Sequence, residues 1–79
     1  MYVDIITPDS ILFSGEAKKM QLPGSDGSFG ILNNHAPIIS TLGKGKIKVV
    51  TANDKTEYIE IKSGVLEMNK NKAIILAEQ

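Results

Sequence analysis

The stretch VLEMNKNKAIILA, Val65–Ala77, has the pattern of two short strands joined by a tight turn. Val65–Met68 and Ala73–Ala77 are rich in apolar residues and flank the turn sequence Asn-Lys-Asn. Asn69 or Asn71 can adopt the left-handed conformation that a tight hairpin requires. Short apolar runs between such turn residues are typical of an all-β protein.

The same pattern recurs through the rest of the chain. Its turns are marked by Thr-Pro, Pro-Gly-Ser-Asp-Gly, Gly-Lys-Gly and Asn-Asp-Lys, and no window shows a sustained helical period. The other predicted strands are one ending at Thr7, Ser14–Leu22, Phe29–Leu32, Pro37–Leu42, Ile47–Ala52 and Thr56–Lys62. We therefore predict an all-β fold, a two-sheet β-sandwich or flattened barrel, with one domain over residues 1–79.

The last strand is apolar on both faces. Ala73, Ile75 and Ala77 alternate with Ile74 and Leu76, so both sides of this strand require cover. In a two-layer sandwich only one face of a sheet meets the other sheet. The second apolar set is therefore either covered by a loop or reserved for another protein, since exposed apolar patches commonly mark interfaces.

Composition argues against several function classes. Nine basic residues, all of them lysine, balance nine acidic residues, and there is no cysteine. The basic patch of a nucleic-acid-binding protein is missing, and so is the arginine suited to bidentate phosphate recognition. Disulfides and thiolate metal sites cannot form. The longest apolar runs fall far short of the roughly 20 residues that span a bilayer.

The segment Gly24–Ser40 holds the only histidine, His35, among several glycines and asparagines. One histidine with scattered acids offers no metal-ligand spacing. The glycine-rich part lacks the lysine and the following helix of a phosphate-binding loop. We therefore predict no catalytic residue, no metal and no cofactor. Two alternatives stay open: a free-standing β-sandwich module that binds a small molecule or another protein, with Gly24–His35 as its mouth, and a hydrolase using Ser28 and His35.

Several short motifs follow one another in a specific order. A Thr-Pro near the end of the first strand precedes LFSGE, PGSDGSFGIL, NHAP, GKIKV, SGVLEM and a closing ILAE, and together they cover nearly the whole chain. In this order and spacing the chain resembles the amino-terminal β-sandwich of the epsilon subunit of F-type ATP synthases. The resemblance does not include the carboxy-terminal helical hairpin, into which many family members continue beyond the position of Gln79.

The resemblance implies a sandwich of about ten short strands and a non-catalytic role in the central stalk, the rotor of the enzyme. Such a subunit binds the gamma subunit and the loops of the c-ring, and it couples ion translocation to ATP synthesis. It implies no nucleic-acid partner, no cofactor and no insertion into the membrane. It also implies a peripheral position at the cytoplasmic face of the bacterial plasma membrane.

Contact residues follow from the resemblance position by position. Those expected at the c-ring are Ser25, Asp26, Gly27 and Ser28. Those expected at gamma are Thr7, His35, Ile38 and Ser40. The chain departs from the family pattern at Ser28, where an acidic residue is frequent, and at Asn33-Asn34, which replace the usual Pro-Gly. Asparagine can still adopt the left-handed conformation that glycine allows.

Overall fold

The computed structural model describes residues 1–79, which form eight β-strands and no helix. The strands are β1 (Tyr2–Ile6), β2 (Ile11–Gly24), β3 (Gly27–Leu32), β4 (Ile38–Leu42), β5 (Gly45–Thr51), β6 (Thr56–Ile61), β7 (Ser63–Asn69) and β8 (Lys72–Glu78). The all-β prediction is confirmed, with eight strands instead of about ten. The chain has no helix long and apolar enough to cross a membrane.

The length of β2 explains the lower strand count, because this one strand takes part in both layers. Its first half pairs with β1 and its second half with β3 and β5. The pairing register with β5 shifts between Ala17 and Lys19, and such a bulge bends the strand from one layer to the other. The predicted strand Ser14–Leu22 was therefore too short at both ends. Pro23 is accommodated because it follows Gln21, the last residue of β2 paired with β5.

The two layers enclose one apolar core. The eight strands form one continuous hydrogen-bonded sheet that folds into two layers. The layer that we call the first sheet contains the first half of β2, then β1, β8, β7 and β4, and the layer that we call the second sheet contains β3, the second half of β2, β5 and β6. All pairings are antiparallel except that of β1 with β8. The core cluster has 16 buried residues and no buried polar side chain. Its largest fully buried side chains are Ile5, Leu22, Ile31, Ile47, Leu66, Met68, Ile75, Val3 and Val49.

The turn between β7 and β8 holds the loop that precedes β4. Lys70 and Asn71 have φ of 50° and 60°, the two positive values of a type I′ hairpin turn. The prediction is confirmed for Asn71, whereas Asn69 stays in β7 and pairs with Lys72. Asn71 Oδ1 accepts a hydrogen bond from the amide of Asn34 at 2.7 Å. This turn therefore anchors the loop that precedes β4.

Asn71→Ala is expected to lower the free energy of unfolding by about 1–3 kcal/mol. It removes the acceptor for the Asn34 amide and leaves alanine at positive φ. Lys70→Gly is the matched control, because glycine adopts positive φ without steric cost and no side-chain hydrogen bond is lost. Urea unfolding measures both. An Asn71→Ala midpoint equal to that of the parent chain would contradict this role for the turn.

Candidate interaction surfaces

The outer face of the first sheet carries a line of apolar side chains across four strands. Strand pairing places Val65 of β7 beside Leu76 of β8, and Leu76 beside Ile6 of β1. Ile11 of β2 lies opposite Ile6 and ends the line. Val65 is 42% exposed, Leu76 56% and Ile11 71%. We refer to these four residues as the apolar row.

The apolar row results from the two-residue period of the strands. Leu66 and Ile75, the neighbours of Val65 and Leu76 in sequence, are fully buried on the opposite face. Leu76 is exposed and no loop of the chain covers it, which favours a partner protein over a loop as the cover for the second apolar set. Contiguous exposed apolar surface of this kind marks an interaction site.

The outer face of the second sheet is more polar. Gln21, Lys48 and Tyr58 lie side by side across β2, β5 and β6, and Lys19 lies opposite Val50. Tyr58 is 62% exposed there, and its neighbours across the strands are the polar side chains of Lys48 and Gln21. Single exposed apolar side chains are normal on protein surfaces, whereas a contiguous row is not. The first sheet therefore has the better docking surface.

A surface groove of about 670 Å³ borders the apolar row. Its lining includes Ile6, Thr7, Leu42, Val65 and Leu76. None of residues 24–35 lines this groove. The segment Gly24–His35, expected to form the mouth of a small-molecule binding module, therefore does not border this groove.

The four residues expected at the c-ring form the tip of the β2–β3 hairpin. They are Ser25, Asp26, Gly27 and Ser28, and all four are exposed. The amide of Ser25 donates to the carbonyl of Thr41 at 3.1 Å, and Ser28 Oγ accepts from Gln21 Nε2 at 2.8 Å. A Cβ on Gly24 would lie 2.5 Å from the carbonyl oxygen of Gly27, so the tip requires glycine. The tip is a small, firmly held projection.

The four residues expected at gamma lie at two ends of the first sheet. They are Thr7, His35, Ile38 and Ser40. Thr7 follows Ile6, which pairs with Leu76 near the end of β8. His35 precedes β4, whose first residue pairs with Met68 near the β7–β8 turn. The set therefore spans the length of the sheet and forms no single cluster.

Ile38 and Ser40 lie on the inner side of β4. Ile38 packs against the core and Ser40 is half-buried, in alternation with the buried Leu42. Ile39, 74% exposed, is the apolar residue that β4 presents on the outer face. Sequence reasoning missed Ile39 because the face of a short strand depends on its pairing, although its odd spacing from Leu42 was a usable signal.

His35 makes only local hydrogen bonds. Its amide donates to the carbonyl of Leu32 at 3.2 Å, and its ring Nδ1 lies 2.7 Å from the carbonyl oxygen of Ala36. Ser28 lies at the opposite end of β3 and bonds to Gln21, so no serine–histidine pair forms. No three metal-ligating side chains converge in the chain.

Asn33 and Asn34 shape the loop before His35. Asn34 has φ of 64°, which confirms that this position can adopt the left-handed conformation. Its amide donates to Asn71 Oδ1, and Asn33 Oδ1 accepts from the α-amino group of Met1. The two asparagine residues therefore hold the loop against the N-terminal strand and the β7–β8 turn.

The whole chain, residues 1–79, matches the family described as the β-sandwich domain of the delta/epsilon chain of ATP synthase. The chain belongs to the ATP synthase delta/epsilon family. Its resemblance to the epsilon β-sandwich is thereby confirmed over all the residues that the structure describes.

Bacterial members of the delta/epsilon family are similar in sequence over nearly the whole chain. The ATP synthase epsilon chain of Chlorobium limicola is 38% identical over 76 residues, which are 96% of this chain and 86% of the relative. That of Bordetella avium is 37% identical over 78 residues, which are 99% of this chain and 55% of the relative. The chain thus spans most of one epsilon relative and about half of the other. Membership of this family confirms the prediction that the chain is a non-catalytic subunit of an ATP synthase.

Solved ATP synthases contain the same delta/epsilon fold. A chain of the Euglena gracilis mitochondrial ATP synthase matches with a TM-score of 0.85 and 17% identity, over 98% of this chain and 49% of that one. A chain of the Tetrahymena thermophila mitochondrial enzyme matches with a TM-score of 0.80 and 17% identity, over 100% and 63%. At such identity these likenesses show the fold alone, and they confirm the β-sandwich.

Proposed function

We propose that this chain is a rotor subunit that joins gamma to the c-ring in the central stalk of an F-type ATP synthase. In this position it couples ion translocation to ATP synthesis without catalysing a reaction itself. The main support for the proposal is the apolar row, which is exposed on the outer face of the first sheet. The chain's membership of the ATP synthase delta/epsilon family supports the identity of the partners.

Gamma is the partner that we assign to the apolar row. A rotor partner must stay bound through each rotation, and permanent complexes use large apolar interfaces, typically 2,000 Å² or more in total. The apolar row supplies the centre of such an interface, with Ile39 beside it and Thr7 at the edge of the groove. His35 lies at the other end of the same sheet. A gamma subunit lying along this face would contact Thr7 and His35 at its two ends, whereas Ile38 and Ser40 face inward and Ile39 takes their place on the outer face.

The hairpin tip Ser25–Ser28 is the part that we assign to the c-ring. It lies at the same end of the sandwich as Thr7, since Gly24 pairs with Leu42 and both Thr7 and Leu42 line the groove. The solved Tetrahymena thermophila structure is described as a central stalk and c-ring, which supports this assignment. With the tip toward the ring, we place the chain peripherally at the cytoplasmic face of the bacterial plasma membrane.

Gel filtration with the purified gamma subunit tests the proposal. At micromolar concentration the two proteins are expected to elute together, because an interface of this class holds at that concentration. The chain alone and gamma alone, run on the same column, are the controls. Separate elution of the two proteins in the mixture would contradict the proposed function.

A further inference from the structure

On the side of the apolar row toward the β7–β8 turn, two carboxylates have no cation in the chain to pair with. Strand pairing places Asp4 of β1, Ile74 of β8 and Glu67 of β7 in one line across the first sheet, directly adjacent to the apolar row. Asp4 is half-buried and Glu67 is exposed. The carboxylates that do form ion pairs are Glu16, Asp54 and Glu60.

Hydrogen bonds fix the orientation of the Asp4 carboxylate. Ser14 Oγ donates to Asp4 Oδ1 at 2.7 Å. The Tyr2 hydroxyl lies 2.6 Å from Ser14 Oγ and donates to it, because the serine proton is directed at the carboxylate. The second oxygen, Asp4 Oδ2, accepts no hydrogen bond within the chain. The side chain is therefore held in place with an acceptor still free.

The lysine on this face is directed elsewhere. Lys72 Nζ lies 5.8 Å from the centre of the Tyr2 ring, in a cation–π contact, and forms no ion pair with either carboxylate. A partner that covered Asp4 with apolar surface alone would leave a buried charge unpaired, which is strongly unfavourable. The partner must therefore bring its own donor.

We propose that gamma docks here through an apolar ridge with two basic side chains along one side of it, which pair with Asp4 and Glu67. The inference rests on the proposed function and specifies the chemistry of the partner at the same face. Asp4 and Glu67 are two strand spacings apart, so the basic groups of gamma should be about 10 Å apart. The apolar row supplies affinity, and the two carboxylates set the orientation of gamma on the sheet.

Binding of purified gamma to charge-neutral variants, measured by isothermal titration calorimetry, tests the inference. Asp4→Asn keeps the shape of the side chain and the oxygen that accepts from Ser14. It should weaken binding roughly tenfold, because the Asp4 charge that it removes is covered in the complex. Glu67→Gln should weaken binding about threefold, as for a more exposed pair. Glu57→Gln is the matched control, since Glu57 is an exposed carboxylate on β6 that forms no ion pair. Circular dichroism checks that each variant is folded.

The salt dependence separates direct pairing from a change of fold. Raising NaCl from about 50 mM to about 500 mM should weaken binding of the parent chain, and it should weaken binding of the Asp4→Asn/Glu67→Gln double variant much less. Equal losses for Glu57→Gln and Asp4→Asn, or an unchanged salt dependence in the double variant, would overturn the inference.

An apolar variant distinguishes failure of this inference from failure of the proposed function. If Leu76→Ser weakens gamma binding while Asp4→Asn and Glu67→Gln leave it unchanged, gamma uses the face without the basic groups, and only the inference is overturned. If Leu76→Ser also leaves binding unchanged, gamma does not dock on the first sheet, and both are overturned.

Discussion

Leu76→Asp is expected to weaken gamma binding at least about 100-fold while the chain stays folded. Leu76 is 56% exposed in the middle of the apolar row, so an aspartate there remains hydrated in the free chain. In the complex the same aspartate would be buried against apolar surface without a partner, at a cost of several kcal/mol. Titration calorimetry with purified gamma measures the loss, and the urea midpoint of the variant shows that stability is retained.

Tyr58→Asp is the matched control for Leu76→Asp. Tyr58 is 62% exposed on the outer face of the second sheet, so the two substitutions introduce the same charge at similar exposure on opposite faces. Binding of Tyr58→Asp should equal that of the parent chain. A larger loss for Tyr58→Asp than for Leu76→Asp would place gamma on the second sheet and contradict our assignment.

Ile75→Ala is expected to lower the free energy of unfolding by about 2–5 kcal/mol, the range for large-to-small substitutions at buried aliphatic positions. Ile75 is fully buried, and it lies opposite the fully buried Leu66 in the β7–β8 ladder. A 79-residue domain has a total stability of only about 4–12 kcal/mol, so this one change removes a large share of it. Urea unfolding followed by circular dichroism measures the effect.

The neighbouring Leu76→Ala supplies the comparison. Its side chain is more than half exposed in the free chain, so its truncation should cost less than about 1 kcal/mol of stability while still weakening gamma binding. Ile75→Ala, in contrast, should bind gamma normally at temperatures where it is folded. Equal stability losses for the two variants would contradict the assignment of buried and exposed faces to β8.

Local patterns in the sequence were sufficient for the fold class and for the β7–β8 hairpin. The turn residue was narrowed to Asn69 or Asn71 because few residues tolerate positive φ in a tight turn, and the structure selects Asn71. The extent of β2 was not recognisable, because the strand runs through Pro23 and changes its partners along its length. Which strand a residue pairs with is a tertiary property, and a local pattern does not contain it.

The docking face was predictable only in part. The doubly apolar last strand already indicated that Leu76 needed cover. Ile6, Ile11 and Val65 come from three other strands, and only the pairing of those strands brings them into one row with Leu76. For Ile39 the sequence offered only its odd spacing from Leu42, and the register of β4 against β7 is what assigns Ile39, and not Ile38, to the outer face.

In the assembled ATP synthase, gamma should cover the outer face of the first sheet while the hairpin tip meets the c-ring. A cryo-EM structure of the assembled enzyme that contains this chain would reveal both contacts. We expect gamma density over Val65, Leu76 and Ile11, and loops of the c-ring against Ser25–Ser28. Density for gamma over Gln21, Lys48 and Tyr58, with Leu76 facing solvent, would show instead that gamma docks on the second sheet.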